Sequence, residues 1–583
     1  MGVILGLNAF HADSAACIVV DGQLVAAAEE ERFRRIKHWA GFPTLAIEYC
    51  LAEAGISLSQ VDHIAMNQDS NANLKKKLSF TLAKRPDVGL IIDRIRNKRE
   101  RDGVKVHLKR AFPGEYFKGK VHAVEHHLAH LSSAFHVSPY KEAVVVSVDG
   151  FGDFASAQWG VGRGSSISVE DKVHFPHSLG LFYQALTQFI GFPNYGDEYK
   201  VMGLAPYGKP IFLEQMREIV LLQEDGSYEL NLEYFRHHRE SITQDWDGGV
   251  PSFSQIYSER LTGLLGPVRG STEKLEQRHF DIAHSIQAMY EEAFFHLLNT
   301  LYAKYGIENL ALSGGCAMNS VANGKIARST EFKNVYIQSA AGDAGGAIGA
   351  ALSTWHDISP DASRQFSMNH AYWGPSYSND EVSSVLESCQ TDLDAASITV
   401  KFIGEEAELA RVTAQAISEG KVIGWFHGRM EWGPRALGNR SILGDPRRAD
   451  IKDILNLKIK RRESFRPFAP SVLREEVKYW FEEDDDVPFM MKVFQVLEAR
   501  RSEVPAVTHV DGSGRLQTVT ERDNGRYYRL IKAFYDLTGV PMILNTSFNE
   551  NEPIVCTPEQ ALSCFQRTEM DVLVLENFVL CRT

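Results

Sequence analysis

Apolar residues along this chain fall into short runs broken by Gly/Asp turns, with longer amphipathic stretches between them. The opening "VILGLNAFHADSAACIVVDGQLVAAAEEERF" predicts three short strands, the last two joined at Asp21-Gly22, a dipeptide suited to a tight hairpin. "AVVVSVDGFGDFASAQWGVG" (143–162) predicts the same plan of buried strand, polar turn and second strand, so the two segments read as copies of one unit. "NLALSGGCAMNSVANGKIA" (309–327) and "NVYIQSAAGDAGGAIGAAL" (334–352) each predict a strand, a glycine turn and a helix. Such turns can bring backbone N–H groups up to an anion; the plainer alternative is that the glycines only permit tight helix-on-sheet packing. Weak duplication of this kind predicts a pseudo-symmetric α/β domain with a cleft between its halves.

The pattern changes at 353–380, where turn-forming and Pro-containing residues replace periodic apolar ones. Beyond it the pattern predicts a helix ending near Gly420, a buried strand and a long basic, Gly-containing loop. The expected division is a first domain over 1–355, a linker over 356–372 and a second α/β domain over 373–583. Residues 80–111 predict a charged amphipathic helix beside the first domain's cleft.

Composition narrows the function. A formal net charge of -13 argues against DNA, RNA or anionic lipid as whole-surface partners. Seven scattered cysteines with no C-x-x-C pair point to a reducing compartment rather than a disulfide scaffold. The opening has no basic segment followed by a long apolar stretch, and no apolar run reaches about eighteen residues. The expectation is a cytoplasmic protein outside the membrane.

Four histidines lie within "VHAVEHHLAHLSS" (121–133). His126 and His130 share a helical face, a spacing that can chelate one metal ion or simply pack. A zincin would need Glu where His127 stands, so a protease is disfavoured. Asp149 ends an apolar strand and Asp343 sits in a glycine turn, both positions where α/β folds expose functional side chains. Two imidazoles with one or two carboxylates suit iron(II), manganese or zinc. His11, just after the first strand, is a candidate acid/base group or a turn cap. From Arg429 to Arg466 the charge balance turns basic, with arginines set in "GPRALGNR" and "FRPFAPS"; guanidinium forks in such contexts fit a small phosphorylated ligand. In "GVPMILNTSFNENEPIV" (539–555), Asn545 and Ser547 either hold a phosphate or nucleotide or cap the next helix.

These segments, together with "AEEERFRRIKH", "DEYKVMGLAPYG", "GPRALGNRSILGD" and "LQTVTE", resemble the O-carbamoyltransferases of nodulation-factor and antibiotic tailoring across essentially the whole chain. The resemblance implies an N-terminal duplicated actin/hexokinase-like domain and a C-terminal YrdC-like domain. It implies that the second makes carbamoyl adenylate from carbamoyl phosphate and Mg(II)-ATP, and that the first passes the carbamoyl group to a small-molecule alcohol, releasing AMP. By the same resemblance His126, His130, Asp149 and Asp343 hold a metal, usually iron(II), and His11 is catalytic. Arg435, Arg440, Lys460, Arg466, Arg515, Asn545 and Ser547 would hold ATP and carbamoyl phosphate, with Arg435 and Lys460 also catalytic. Lys200, Gly203, Gly314, Gly315 and Asn319 would line the adenylate site of the first domain. The family often shows Asp-Gly-x-Gly-Glu where this chain has "DGFGD", so Asp153 carries no expected role. A tRNA-modifying enzyme of the same chemical type and a nucleotide-gated, non-catalytic binding protein are the competing readings; the acceptor, and whether the chain forms a homodimer, stay open.

Overall fold

The computed structural model describes residues 2–84, 103–240, 244, 245, 249, 251–463 and 465–582. The chain forms two compact units, Met1–Met368 and Asn369–Thr583.

Duplication in the first unit is explicit in its two main sheets. In one, Val3–Asn8 is central, flanked antiparallel by Ala15–Val20 and then Gln23–Glu29, and parallel by His63–Met66 and then Lys120–Ala123. In the other, Glu142–Gly152 is central, flanked antiparallel by Ala155–Arg163 and Ser166–His174, and parallel by Asn309–Ser313 and Asn334–Ile337. Strand order and strand senses are the same in both. The hairpin at Asp21-Gly22 forms as expected, with both residues at positive φ.

Two helices bring the copies together: His126–Phe135 packs on the second sheet, and Gly345–Ile358 packs on the first sheet and on the histidine helix. Small residues make this approach close. A Cβ on Gly349 would stand 1.8 Å from the carbonyl oxygen of Ala129, and one on Gly6 would stand 2.1 Å from that of Ala347. Gly345, Gly346 and Gly349 of "GDAGGAIGAA" thus serve tight packing, whereas a Cβ on Gly342 would meet only Gly315 Cα at 3.9 Å.

The helix Gly345–Ile358 runs past the expected domain boundary, and the chain after it stays on the first unit: Met368 N–H donates to Val137 O at 2.8 Å, and Arg364 Nη1 donates to Tyr140 O at 2.7 Å. Residues 356–368, expected as linker, thus belong to the N-terminal unit. Of the expected 80–111 helix, Leu74–Lys84 and Val104–Ala111 flank 85–102, which lies outside the described residues.

The second unit is built on a nine-stranded mixed sheet, in the order Ile398–Phe402, Phe578–Arg582, Val572–Leu575, Ile423–Phe426, Arg440–Gly444, Met542–Ser547, Ala469–Leu473, Ser513–Val519, Lys492–Gln495. Glu406–Ser418 precedes the strand Ile423–Phe426, with Gly420 at positive φ between them. Among the described residues, no helix is long and apolar enough to cross a membrane.

Replacing Gly349 by Ala is expected to destabilise the chain by about 1–3 kcal/mol, because the backbone carbonyl it would strike cannot swing aside as a side chain could. Chemical denaturation of the two proteins measures the difference.

Candidate active site

In the N-terminal unit the candidate residues come from both structural copies. His11 follows the strand Val3–Asn8, Asp343 precedes the helix Gly345–Ile358, Asp149 lies on the strand Glu142–Gly152, and His126 and His130 lie one turn apart on the histidine helix. The fold makes them converge. His126 Nε2 and His130 Nε2 are 3.1 Å apart, and stand 3.1 and 3.2 Å from Asp149 Oδ2. Asp343 Oδ1 is 3.6 and 3.5 Å from the same nitrogens, and its Oδ2 is 3.3 Å from His11 Nδ1. The four donor atoms of His126, His130, Asp149 and Asp343 lie within 4.8 Å of one another, a set that fits a divalent ion.

Within this buried cluster the imidazoles and carboxylates offset one another's burial. Burial opposes charge on His130, but the carboxylates of Asp149 and Asp343 outweigh it and raise the imidazole to about 9. Burial alone would raise Asp149, yet hydrogen bonds from His126 and His130 hold it well below the usual carboxylate range. His127 points elsewhere: its Nδ1 is 3.0 Å from Ser147 Oγ, and burial and its histidine neighbours push it down to about 3. It stays neutral and plays no part in the cluster.

The glycine turn 314–315 has a use that its sequence does not reveal. Gly315 N–H donates to Asp149 Oδ1 at 2.8 Å, so the anion it meets is the protein's own carboxylate. A Cβ on Gly314 would stand 2.3 Å from Val148 O, which is why this turn wraps so closely around Asp149. Of the other expected adenylate residues, Asn319 forms a reciprocal amide pair with Gln287, Lys200 Nζ pairs with Asp197 at 2.8 Å, and Gly203 lies in the helix Glu198–Leu204.

His38, unassigned by sequence, stands 2.8 Å by Nδ1 from Asp13 Oδ1, with its ring edge-on to Tyr195. Only the "RRIKH" run marked it.

In the C-terminal unit the strand register puts Arg515, Gln517, Ser471, Asn545 and Ser547 on one face of the sheet. Asn545 Nδ2 donates to Ala436 O at 3.1 Å and to Ser471 Oγ at 3.0 Å, while its Oδ1 is buried without a hydrogen-bond partner among the described residues. The capping alternative fails for Asn545 and Ser547, because the next helix, Pro558–Arg567, is capped by Thr557. Burial and the like charges of Arg435, Arg462 and Arg466 hold the Arg515 guanidinium well below the usual arginine range. Sequence reasoning missed Arg462 as a member of this cluster.

Two expected ligand-binding cations sit differently. Arg440 is fully buried, donates to the carbonyls of His427, Asn439 and Pro375 at 2.8–3.0 Å, and lies 3.6 Å over the Phe426 ring; these contacts fit a structural arginine rather than one facing a ligand. Lys460 Nζ is engaged by Ser547 and Asn549, including Asn549 Oδ1 at 2.6 Å, and so anchors the end of the "NTSFN" strand. Buried Glu431 organises the basic loop, its Oε1 accepting from the backbone N–H groups of Leu437, Asn439 and Arg440 at 2.7–3.1 Å.

The family description "Carbamoyltransferase N-terminus" matches residues 3–352, and "Carbamoyltransferase C-terminus" matches residues 414–582. The chain belongs to the carbamoyltransferase family. It is 44% identical to an uncharacterized protein of Synechocystis sp., over 100% of this chain and 97% of that protein. It is 38% identical to nodulation protein NolNO of Sinorhizobium fredii, over 98% of this chain and 79% of that protein. It is 37% identical to the 3'-hydroxymethylcephem-O-carbamoyltransferase of Amycolatopsis lactamdurans, over 42% of each chain. Both units of this carbamoyltransferase thus carry recognised family sequence.

Burial works against charge on His38, but Asp13 and Glu31 outweigh it and raise the imidazole from 6.5 to about 9. Its contribution to stability is then full below about pH 6.5 and lost as pH rises through about 9. The stability gap between the wild type and His38→Gln is expected to be widest in the acid part of that range and to close above it, as denaturation at a series of pH values would show.

Proposed function

We propose that this carbamoyltransferase is a two-step O-carbamoyltransferase. Its C-terminal unit, read as YrdC-like, turns carbamoyl phosphate, water and ATP into carbamoyl adenylate, inorganic phosphate and pyrophosphate: water cleaves carbamoyl phosphate to carbamate and phosphate, and a carbamate oxygen bonds to the α-phosphorus of ATP as the bond to pyrophosphate breaks. Its N-terminal unit, read as actin/hexokinase-like from its repeated five-stranded sheets, moves the carbamoyl group to a small-molecule hydroxyl and releases AMP.

The observation that carries this reading is the contrast between the two constellations. The guanidinium of Arg515 feels the like charges of Arg435, Arg462 and Arg466, of which Arg466 also lies 3.7 Å from the Glu463 carboxylate, and this net positive balance favours a strongly anionic ligand. Carbamoyl phosphate and ATP are such ligands, and cations that offset their mutual repulsion also stabilise the charge that develops on departing phosphates. In the N-terminal unit the charges compensate one another around a compact donor set, with one imidazole beside it.

His11 supplies the proton chemistry. With its Nδ1–H donating to Asp343 Oδ2, its Nε2 carries a lone pair that can accept a proton. The acceptor hydroxyl gives its proton to Nε2 as its oxygen bonds to the carbamoyl carbon; the bond from that carbon to the adenylate phosphate oxygen breaks, and AMP departs. Asp343 orients the imidazole and stabilises its cationic form, as a carboxylate does for a histidine base. His126, His130, Asp149 and Asp343 would hold the divalent ion, iron(II) by family resemblance, which supplies a fixed positive charge that polarises the carbamoyl group and offsets phosphate charge.

Incubated anaerobically with magnesium, ATP and carbamoyl phosphate, the protein is expected to release pyrophosphate and form a species with the carbamoyl adenylate mass, neither appearing without carbamoyl phosphate. Arg515→Ala is expected to slow this step by about 10²–10³-fold. His11→Ala is expected to leave it intact while slowing transfer to an alcohol by about 10²–10⁴-fold. Intact ATP in the presence of candidate acceptors and well-folded protein would overturn the reading.

A further inference from the structure

Asp153 stands at the tip of the hairpin between Glu142–Gly152 and Ala155–Arg163, and its carboxylate reaches out of that hairpin in two directions. Its Oδ2 accepts the backbone N–H of His126 at 2.9 Å and that of Asp69 at 2.7 Å. His126 opens the histidine helix, so the carboxylate sits where the helix dipole favours negative charge. Glu125 caps the same turn by accepting from Leu128 N–H at 2.7 Å, so the helix start is held on two sides.

The hairpin tip is built for this contact at some cost. Asp153 and Phe154 lie at φ 47° and 74°, a left-handed conformation that is unusual for residues other than glycine. A Cβ on Gly152 would stand 2.0 Å from the His126 ring, so the tip is pressed directly against a candidate metal ligand. On its other side the tip holds the segment leading into Leu74–Lys84: Asn73 Nδ2 donates to Asp153 O at 2.8 Å, and the Phe80 ring packs 5.8 Å from Phe154.

We propose that Asp153 is a positioning residue: it fixes His126 through the first N–H of its helix and makes the segment Asp69–Phe80 and the metal-binding set one mechanical unit. This rests on the reading that His126, His130, Asp149 and Asp343 hold a divalent ion. The segment thereby gains a route by which its own displacement alters the ligand set.

Cobalt(II) binding to the full-length protein, followed by visible absorbance, tests this without an acceptor. Asp153→Ala is expected to lower cobalt affinity about tenfold to a hundredfold, the size of effect seen when a group orienting a ligand is lost, and to shift the ligand-field bands. Asp153→Asn keeps an acceptor oxygen and is expected to fall between Ala and the wild type. The order wild type, Asn, Ala supports the proposal. Affinities within twofold and unchanged bands would overturn it, even if thermal stability drops. Should the Ala variant fail to fold, Asn decides alone: a weaker, shifted cobalt complex supports the proposal and one matching the wild type overturns it. A wild-type protein that takes up no cobalt overturns the metal reading itself.

Discussion

The close approach of two helices, with Gly349 against the carbonyl of Ala129, is the contact on which the N-terminal site depends. The histidine helix belongs to the second sheet and the helix Gly345–Ile358 packs on the first. Only because the two axes can come so near does Asp343, just before one helix, fall within 3.6 Å of His126 and His130 on the other. A side chain at the crossing would widen the gap, and close-packed interiors transmit such shifts rather than absorb them. Duplication therefore does more than repeat a scaffold: neither copy holds the four donors by itself.

Much of this was legible because the relevant signals are local. Alternating apolar runs and the Asp21-Gly22 turn give the strands, and the spacing of His126 and His130 gives their shared helical face. What the pattern could not give is partner choice across long sequence separations. The N–H of Gly315 meets Asp149, 166 positions away, so a turn suited to an external anion proves to hold an internal one. The basic run 429–466 shows the same limit. The fold places Arg435 and Arg466 near Arg515 but buries Arg440, on the strand Arg440–Gly444, against backbone carbonyls, a difference the run of charge does not carry. Asp153 was visible as a departure from the family motif, while its bonds to His126 and Asp69 are visible only in three dimensions.

The two sites manage buried charge in opposite ways. Around Asp149 and Asp343 the histidines carry the positive charge, and each group is shifted so as to remain ionised. Around Arg515 the like charges of Arg435, Arg462 and Arg466 dominate, with the Glu463 carboxylate 3.7 Å from Arg466. Like charges brought together out of water repel, so an anionic ligand bound there would put part of its binding free energy into relieving that repulsion.

The compensated site has a different consequence. The carboxylates of Asp149 and Asp343 raise both His126 and His130 above the ordinary imidazole value against the effect of burial. A metal ligand must be a neutral imidazole, so an ion bound there would displace any proton on these rings. Ion uptake would then be coupled to pH, weaker in acid and stronger as the rings become neutral. The same carboxylates that would bind the ion are also what makes its entry compete with protons. That coupling would follow from packing two carboxylates against two imidazoles in a buried space, whichever divalent ion were bound.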